Sequence, residues 1–514
     1  MLWAATLVSN IGTWMHDVGA GWLMTTLDPD PVTVSLVQAA TTLPVFLFAL
    51  PAGALADIFD RRTLLLAVNV LMMLAAGGLA VTVFTGRVTP ALLVGFTFAL
   101  GAGAAFLAPA WQAIVPSLVP REELQAAITL NSMGINVSRA IGPALAGALI
   151  VGVGLWSPFA LNALSFVGIL AALARWKPET APAPELPRER VGGAIRAGLR
   201  YAAHSEPVRA TLWRAAAFFA FASAFWALLP LVARGNLGGD ATLYGLLVAS
   251  VGAGAVAGAL LPPGLRARLG GDLTVAYGTV GMAVVLGVLA FTADARVAAA
   301  AGALAGAAWI AVLSTLNAAA QTALPAWVRA RGLSIFLTVF FGAMAAGSVV
   351  WGWLARELGV PSALGIAAAG AVLLIPLAGR ARLGGGESLD LAPSLHWPQP
   401  VVSPHAGESR AQVMTTVSYR VPTDRHAAFV RAMQELRRAR RRSGATDWGL
   451  MQDAADADRF VEYFFDASWV DHLRHHRRVS AADEAVQRRI GELLEPGTAP
   501  EVQHLVGLTA LAKG

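Results

Sequence analysis

Hydrophobic runs long enough to cross a lipid bilayer recur from Leu2 to about Ala378, and they constrain the fold more than any single residue. A helix needs roughly 20 predominantly apolar residues to span the hydrocarbon core, where backbone polar groups have no water to bond. Breaks at polar or Pro/Gly clusters predict helices at about 2–26, 33–56, 63–85, 90–110, 124–151, 155–175, 211–234, 241–262, 273–292, 296–317, 332–355 and 360–379. With 56% apolar and 14% charged residues, the chain is a membrane protein, and a soluble enzyme of ordinary composition is excluded. From about Gly386 onward it becomes polar, charged and patterned like a soluble domain. The first segment has no charged n-region and no A-x-A cleavage site, and it carries His16 and Asp17, so it reads as a retained helix.

Basic residues separate by alternate loops. One set holds Arg61, Arg62, Arg121, Arg175, Lys177, Arg188, Arg190, Arg196, Arg200, Arg209, Arg266, Arg268, Arg329, Arg331, Arg380 and Arg382; the other holds Arg87, Arg234, Arg296 and Arg356. The positive-inside rule then puts both termini and the 176–210 loop in the cytoplasm, which requires an even number of spans, and twelve fits. The basic loop, with Pro178, Pro182, Pro184 and Pro187, divides the bundle into halves at about 1–175 and 211–380. Gln112-x-x-x-Pro116-x-x-Val119 and Gln321-x-x-x-Pro325-x-x-Val328 occupy the same place in each half. A 6+6 repeat of this kind places a substrate site between the halves near the midplane. The formal charge of +6 is no sign of nucleic acid, since these residues sit in particular loops and the C-terminal region is nearly balanced. The absence of cysteine excludes disulfides, thiolate metal sites and cysteine nucleophiles.

Between the second and third helices stands Gly53-Ala-Leu-Ala-Asp57-Ile-Phe-Asp60-Arg61-Arg62. This resembles the loop motif of the major facilitator superfamily, Gly-x-x-x-Asp-Arg-x-Gly-Arg-Arg. Gly53, Asp57, Arg61 and Arg62 match, whereas Ile58 and Asp60 replace the usual Arg and Gly. Gly53 lets another helix approach closely, and Asp57 can sit against the positive N-terminal end of a neighbour. The resemblance implies that this neighbour is the eleventh helix and that the contact latches one of two access states; a solvated turn is the alternative. In the fifth helix, Gly142-Pro143-Ala-Leu-Ala-Gly147 resembles the superfamily's exporter-associated motif, which bends the helix and admits close packing.

Arg139 precedes that motif and lies well inside the bilayer, where an unpaired charge is costly, so it should face a partner or a wet cavity. Asp17 is the obvious candidate partner, and its charge can be made to depend on which side is open, as proton coupling requires. A fixed Asp17–Arg139 ion pair is the structural alternative. His16 cannot share the helix face of Asp17 and reads as a hydrogen-bonded interhelical residue. The fourth-helix arginine that many proton-coupled drug exporters carry is missing from Thr97–Phe106. An interfacial belt explains most tryptophans, while Trp14, Trp226 and Trp309 have the alternative of lining an aromatic cavity.

Asn10-Ile-Gly12-Thr-Trp14-Met, Ala108-Pro109-Ala-Trp-Gln112-Ala-Ile-Val-Pro116 and the stretch Asn131–Gly147 are similar to the transmembrane secretion effectors, the branch that includes exporters of the siderophore enterobactin. The similarity spans roughly 1–380 and implies efflux of small amphipathic molecules by alternating access. After a linker at 384–411, the order strand 413–421, helix 424–442, strands 446–452 and 459–465, helix 468–494 and strand 502–506 is βαββαβ. It resembles the ferredoxin-like dimeric barrel of the antibiotic-biosynthesis monooxygenase group, which implies that Trp448, Glu462, Trp469, His472 and His476 lie nearest its groove. His472 and His476 share a helix face at a spacing that can hold a metal. With no third ligand of matching spacing, the pair reads as a solvated face. The arginines at 437–442 complement the dipole of a helix C-terminus and are placed to touch anionic lipid.

The expectation is therefore an all-α, twelve-helix major facilitator transporter over residues 1–383 with an α+β ferredoxin-like cytoplasmic domain over 412–514. It exports a hydrophobic or siderophore-like metabolite or drug in exchange for protons across a bacterial inner membrane. No cofactor, metal or nucleic acid is expected, and the role expected of the C-terminal domain is dimerisation or sensing of cytoplasmic substrate. The alternative is a bifunctional protein whose C-terminal domain modifies or senses the cargo.

Overall fold

Apolar sequence between polar breaks folds into α1 (Leu2–Leu27), α2 (Pro31–Ile58), α3 (Arg61–Phe84), α4 (Pro90–Ile114), α5 (Leu124–Gly152) and α6 (Ser157–Arg175) in the first half. A shorter helix, α7 (Val191–His204), precedes the second half: α8 (Glu206–Leu231), α9 (Ala241–Ala259), α10 (Pro263–Phe291), α11 (Ala295–Thr322), α12 (Arg329–Leu358) and α13 (Val360–Gly379). The computed structural model describes residues 2–58, 60–114, 118, 120, 123–176, 191–260, 263–383, 389–394, 396–397 and 411–507. Eleven of these helices are long and apolar enough to cross a membrane. The twelfth long helix, α1, carries Asn10, His16 and Asp17.

The chain itself punctuates the helices. Asp60 caps α3 by accepting from the Thr63 amide at 2.8 Å, and Asp240 caps α9 by accepting from Leu243 at 3.0 Å. Gly359 turns the chain between α12 and α13 at φ 85°, a conformation open to glycine. Gly270, at φ 70°, kinks α10. The 176–210 segment expected as a loop contains α7, whose apolar stripe, including Ala197 and Tyr201, is buried.

The chain packs into two compact units, one of 1–188, 211–318 and 334–382, the other of 189–210, 319–333 and 383–514. In the second unit, β1 (Val413–Arg420), α14 (His426–Ser443), β2 (Asp447–Gln452), β3 (Arg459–Asp466), α15 (Trp469–Arg478), α16 (Ala481–Gly491) and β4 (Glu501–Val506) form a ferredoxin-like fold. The antiparallel sheet has the order β2-β3-β1-β4. Strand alternation turns Val417, Tyr419, Phe460 and Phe464 onto a core shared with Phe429, Met433 and Leu436 of α14. The expected helix 468–494 is two helices, because Val479 is extended and Ser480 opens α16 with a capping box to Asp483.

Part of the segment assigned to a linker runs along this domain. Pro393 bridges to Ser480, and Trp397 donates to Gln487 Oε1 at 3.1 Å. Within the same unit, Tyr201 of α7 donates to the Ala323 carbonyl at 3.1 Å, and Arg478 lies 4.2 Å over the Trp327 ring. The arginine run is largely engaged within the protein, which corrects the lipid-facing expectation. Arg440 pairs with Glu462, Arg442 with Asp483, and Arg437 lies 5.8 Å over Trp448.

Candidate functional site

Helices of both halves enclose a cavity of about 190 Å³, lined from α1, α2, α5, α8, α9, α11 and α12. Trp14, Trp226 and Trp309 all face it, so for these three the cavity alternative holds rather than the interfacial belt. Ring centroids of Trp14 and Trp226 are 6.5 Å apart, those of Trp226 and Trp309 5.8 Å, and Phe340 continues the wall 6.1 Å from Trp309. Such a surface gives large contact area to flat or apolar molecules at little entropic cost.

Asp17 and Arg139 line the same cavity. Among the described residues no ion pair joins them, so the fixed-pair alternative is not what the structure shows. Arg139 instead lies 5.4 Å over the Trp14 ring, and its Nε is buried without a hydrogen-bond partner. His16 points elsewhere. Its ring packs edge-on against Phe159 at 5.1 Å and neither ring nitrogen has a partner, contrary to the expected interhelical hydrogen bond.

Four polar lining residues belong to no motif: Gln38, Thr41, Thr42 and Tyr244. The first three fall at i, i+3 and i+4 on α2, a polar stripe in an otherwise apolar helix that the sequence does display. Nothing local marks Tyr244.

The fifth-helix motif sits on a seam between the halves. Pro143 has no N–H to give the Arg139 carbonyl, and that carbonyl lies against Gly252 of α9, where a Cβ would meet it at 2.6 Å. A Cβ on Gly245 would meet Pro143 O at 2.5 Å, and one on Gly147 would meet Ala241 O at 2.7 Å. Gly142 faces α1, with Trp14 Cβ 2.7 Å from the position of its absent Cβ. Small residues thus let backbones touch, the usual means of tight packing in lipid. At the same end, Arg234 donates to Thr25 and Thr26 hydroxyls, each at 3.1 Å, and Gly352 of α12 lies against the Pro31 carbonyl of α2. The halves close on each other where the 27–31, 236–241 and 358–360 turns lie.

At the opposite end, the surroundings of Gly53 and the side chain of Asp57 lie outside the described residues, as do the side chains of Gln112, Pro116 and Val119. Arg61 is exposed at the start of α3. Arg62 is held on α6, donating Nε to Leu173 O at 3.0 Å and a terminal nitrogen to Ala174 O, where its charge suits the helix C-terminus. In the second half, Arg214 of α8 donates to Ala381 O at 2.7 Å and pairs with Asp272 of α10 at 2.8 Å.

In the C-terminal domain most of the residues expected nearest the groove lie inside the fold. Trp448, Glu462, Trp469 and His472 are buried. Glu462 accepts a two-pronged contact from Arg440 at 3.0 and 3.2 Å, the Tyr419 hydroxyl at 2.7 Å and the Trp448 indole at 2.8 Å. Burial alone would raise its pKa, but the Arg440 charge and these donors outweigh it and hold the carboxyl below its usual value. His472 is fully buried rather than on a solvated face, and β4 brings His504 to it and His476, the partner that spacing could not reveal.

The family profile described as transmembrane secretion effector matches residues 1–511. The chain is 28% identical over 141 residues to a staphyloferrin A transporter of Staphylococcus aureus, covering 27% of this chain and 36% of that relative. It is 28% identical over 206 residues to the multidrug efflux pump Tap of Mycobacterium tuberculosis, covering 38% and 49%. A macrolide efflux protein A of Streptococcus pyogenes is 24% identical over 172 residues, covering 34% and 41%. The matches therefore span between 36% and 49% of these relatives' length. Among solved structures, a nucleoside transporter aligns with TM-score 0.60 at 13% identity over 74% of this chain and 100% of its own. A POT family peptide transporter aligns with TM-score 0.59 at 13% identity over 74% and 96%. At such identities the likeness is one of fold.

Proposed function

The chain belongs to the transmembrane secretion effector family of the major facilitator transporters, and on that premise we propose that it exports small amphipathic molecules, siderophore-like metabolites or drugs, in exchange for protons. The observation that carries this reading is the aromatic cavity between the halves, where Asp17 and Arg139 stand unpaired with each other. The tryptophan wall suits a planar or apolar cargo body. Arg139, with a donor left over, suits an acidic or catecholate group on that cargo. Among the described lining residues Asp17 is the one carboxylate, so a proton on it changes the cavity's charge in the way antiport needs. Siderophore, macrolide and multidrug transporters among the relatives support the same cargo range.

In this reading the arginine-rich loops face the cytoplasm of a bacterial inner membrane, together with both termini and the C-terminal domain. The closed seam is then the outer one, and the cavity awaits cargo from inside. Gly53, Asp57 and Arg61 would latch the opposite state. Dimerisation through the C-terminal domain belongs to the same reading, with Met451 and Leu505 exposed on the outer sheet face.

The test is efflux of dyes, antibiotics and catecholates from cells lacking their own pumps, comparing wild type with Asp17→Asn at equal membrane expression. Uncoupler-sensitive efflux that the substitution abolishes is expected. Efflux that survives it with an unchanged pH dependence would remove Asp17 from the coupling step, and failure to move any compound would remove the exporter reading.

A further inference from the structure

We propose that His472, His476 and His504 form a three-histidine site for a zinc-type divalent transition metal in the C-terminal domain. His472 and His476 are one helical turn apart on α15, and His504 comes from β4, so the site exists only when the sheet is formed. One ring nitrogen from each of the three lies within 4.8 Å of the others. His472 Nε2 and His476 Nε2 are 3.1 Å apart, close to the roughly 3.3 Å expected for two nitrogens on one tetrahedral ion with bonds near 2.05 Å.

The surroundings match what such ions select. Asp466 accepts from His472 Nδ1 at 2.8 Å, which fixes the tautomer and leaves Nε2 as a bare lone pair aimed at His476. The same carboxylate accepts from His475 Nδ1 at 3.0 Å. Thr415 pairs with His504 across the strands on the same sheet face, and its buried hydroxyl has no protein partner. Trp469 closes one side, 5.2 Å from His472 and 6.2 Å from His504. Three protein nitrogens leave a fourth position for water or an exogenous donor. A simple hydrogen bond between His476 and His472 would account for the 3.1 Å approach, but it gives no role to His504.

Full-length protein in detergent, free of any histidine tag and stripped with EDTA, is titrated with Co2+. We expect visible d–d bands that saturate at one equivalent per chain and are displaced by Zn2+. His476→Ala and His504→Ala should each weaken binding by about 100-fold or more, given that even outer-shell changes at such sites cost about 10- to 100-fold. In wild type alone, Zn2+ should slow diethyl pyrocarbonate modification of His476 and His504 at least tenfold. Absence of a saturable band, an unchanged affinity in both variants, or modification rates indifferent to Zn2+ would each overturn the site.

Discussion

Gly245→Ala tests whether the glycine seam is what holds one access state closed. The new Cβ would stand 2.5 Å from the Pro143 carbonyl and 3.1 Å from Gly147 Cα, both backbone atoms that cannot rotate away. Restoring an ordinary contact of about 3.4 Å requires α5 and α9 to separate by roughly 0.9 Å, and overpacking of this kind costs about 1–3 kcal/mol. The open state lacks the contact and is spared, so the balance between states moves by about 5- to 150-fold. The chain has no cysteine, so Ala227→Cys, on the cavity wall, becomes its sole thiol. A membrane-impermeant maleimide added outside the cell should label it faster by that factor in the Gly245→Ala background. Gly258→Ala is the control, because its Cβ would meet Ala307 Cα at 2.9 Å inside the second half, leaving the seam untouched. Equal labelling in wild type and Gly245→Ala, or equal acceleration by Gly258→Ala, would refute the reasoning.

Glu462→Gln leaves the buried Arg440 without its counter-charge, a change that typically costs about 3–5 kcal/mol, and should lower amide protection in β1 and β3 by two to three and a half orders of magnitude in hydrogen exchange of the intact protein. Because the folded Glu462 carboxyl lies below its unfolded value of 4.5, its contribution is full above that pH and disappears as pH falls through the folded value. Wild-type protection should therefore hold from pH 7 to 5 and decline only in stronger acid, a decline Glu462→Gln should blunt. Arg62→Gln removes charge-assisted bonds to Leu173 and Ala174 carbonyls and should cost about 1.5–3 kcal/mol, read as faster exchange at the end of α6.

The sequence displays the helices because lipid imposes length and because polar residues in apolar runs are costly enough to stand out. Asp17, Arg139 and the three tryptophans are visible for that reason, and the cavity collects all five. Gly245 and Gly252 are not visible, since the chain has 52 glycines and only the crossing of α5 and α9 distinguishes these two. His504 is hidden because register with Thr415, and no linear spacing, carries it to α15. Ser480-Ala-Ala-Asp483 is a legible helix start that helical flanks on both sides disguise. The arginine run misleads for a different reason: Glu462 and Asp483, its buried partners, are carboxylates whose inward direction only the folded domain reveals.

Arg62 and Arg214 have a shared consequence for how the halves can move. Each ties the arginine-rich end of its own half to the end of that half, one through Leu173 and Ala174 of α6, the other through Ala381 just past α13. Neither fastening borrows an atom from the other half. Each half can therefore tilt against the other at the glycine seam while keeping its own fastening intact.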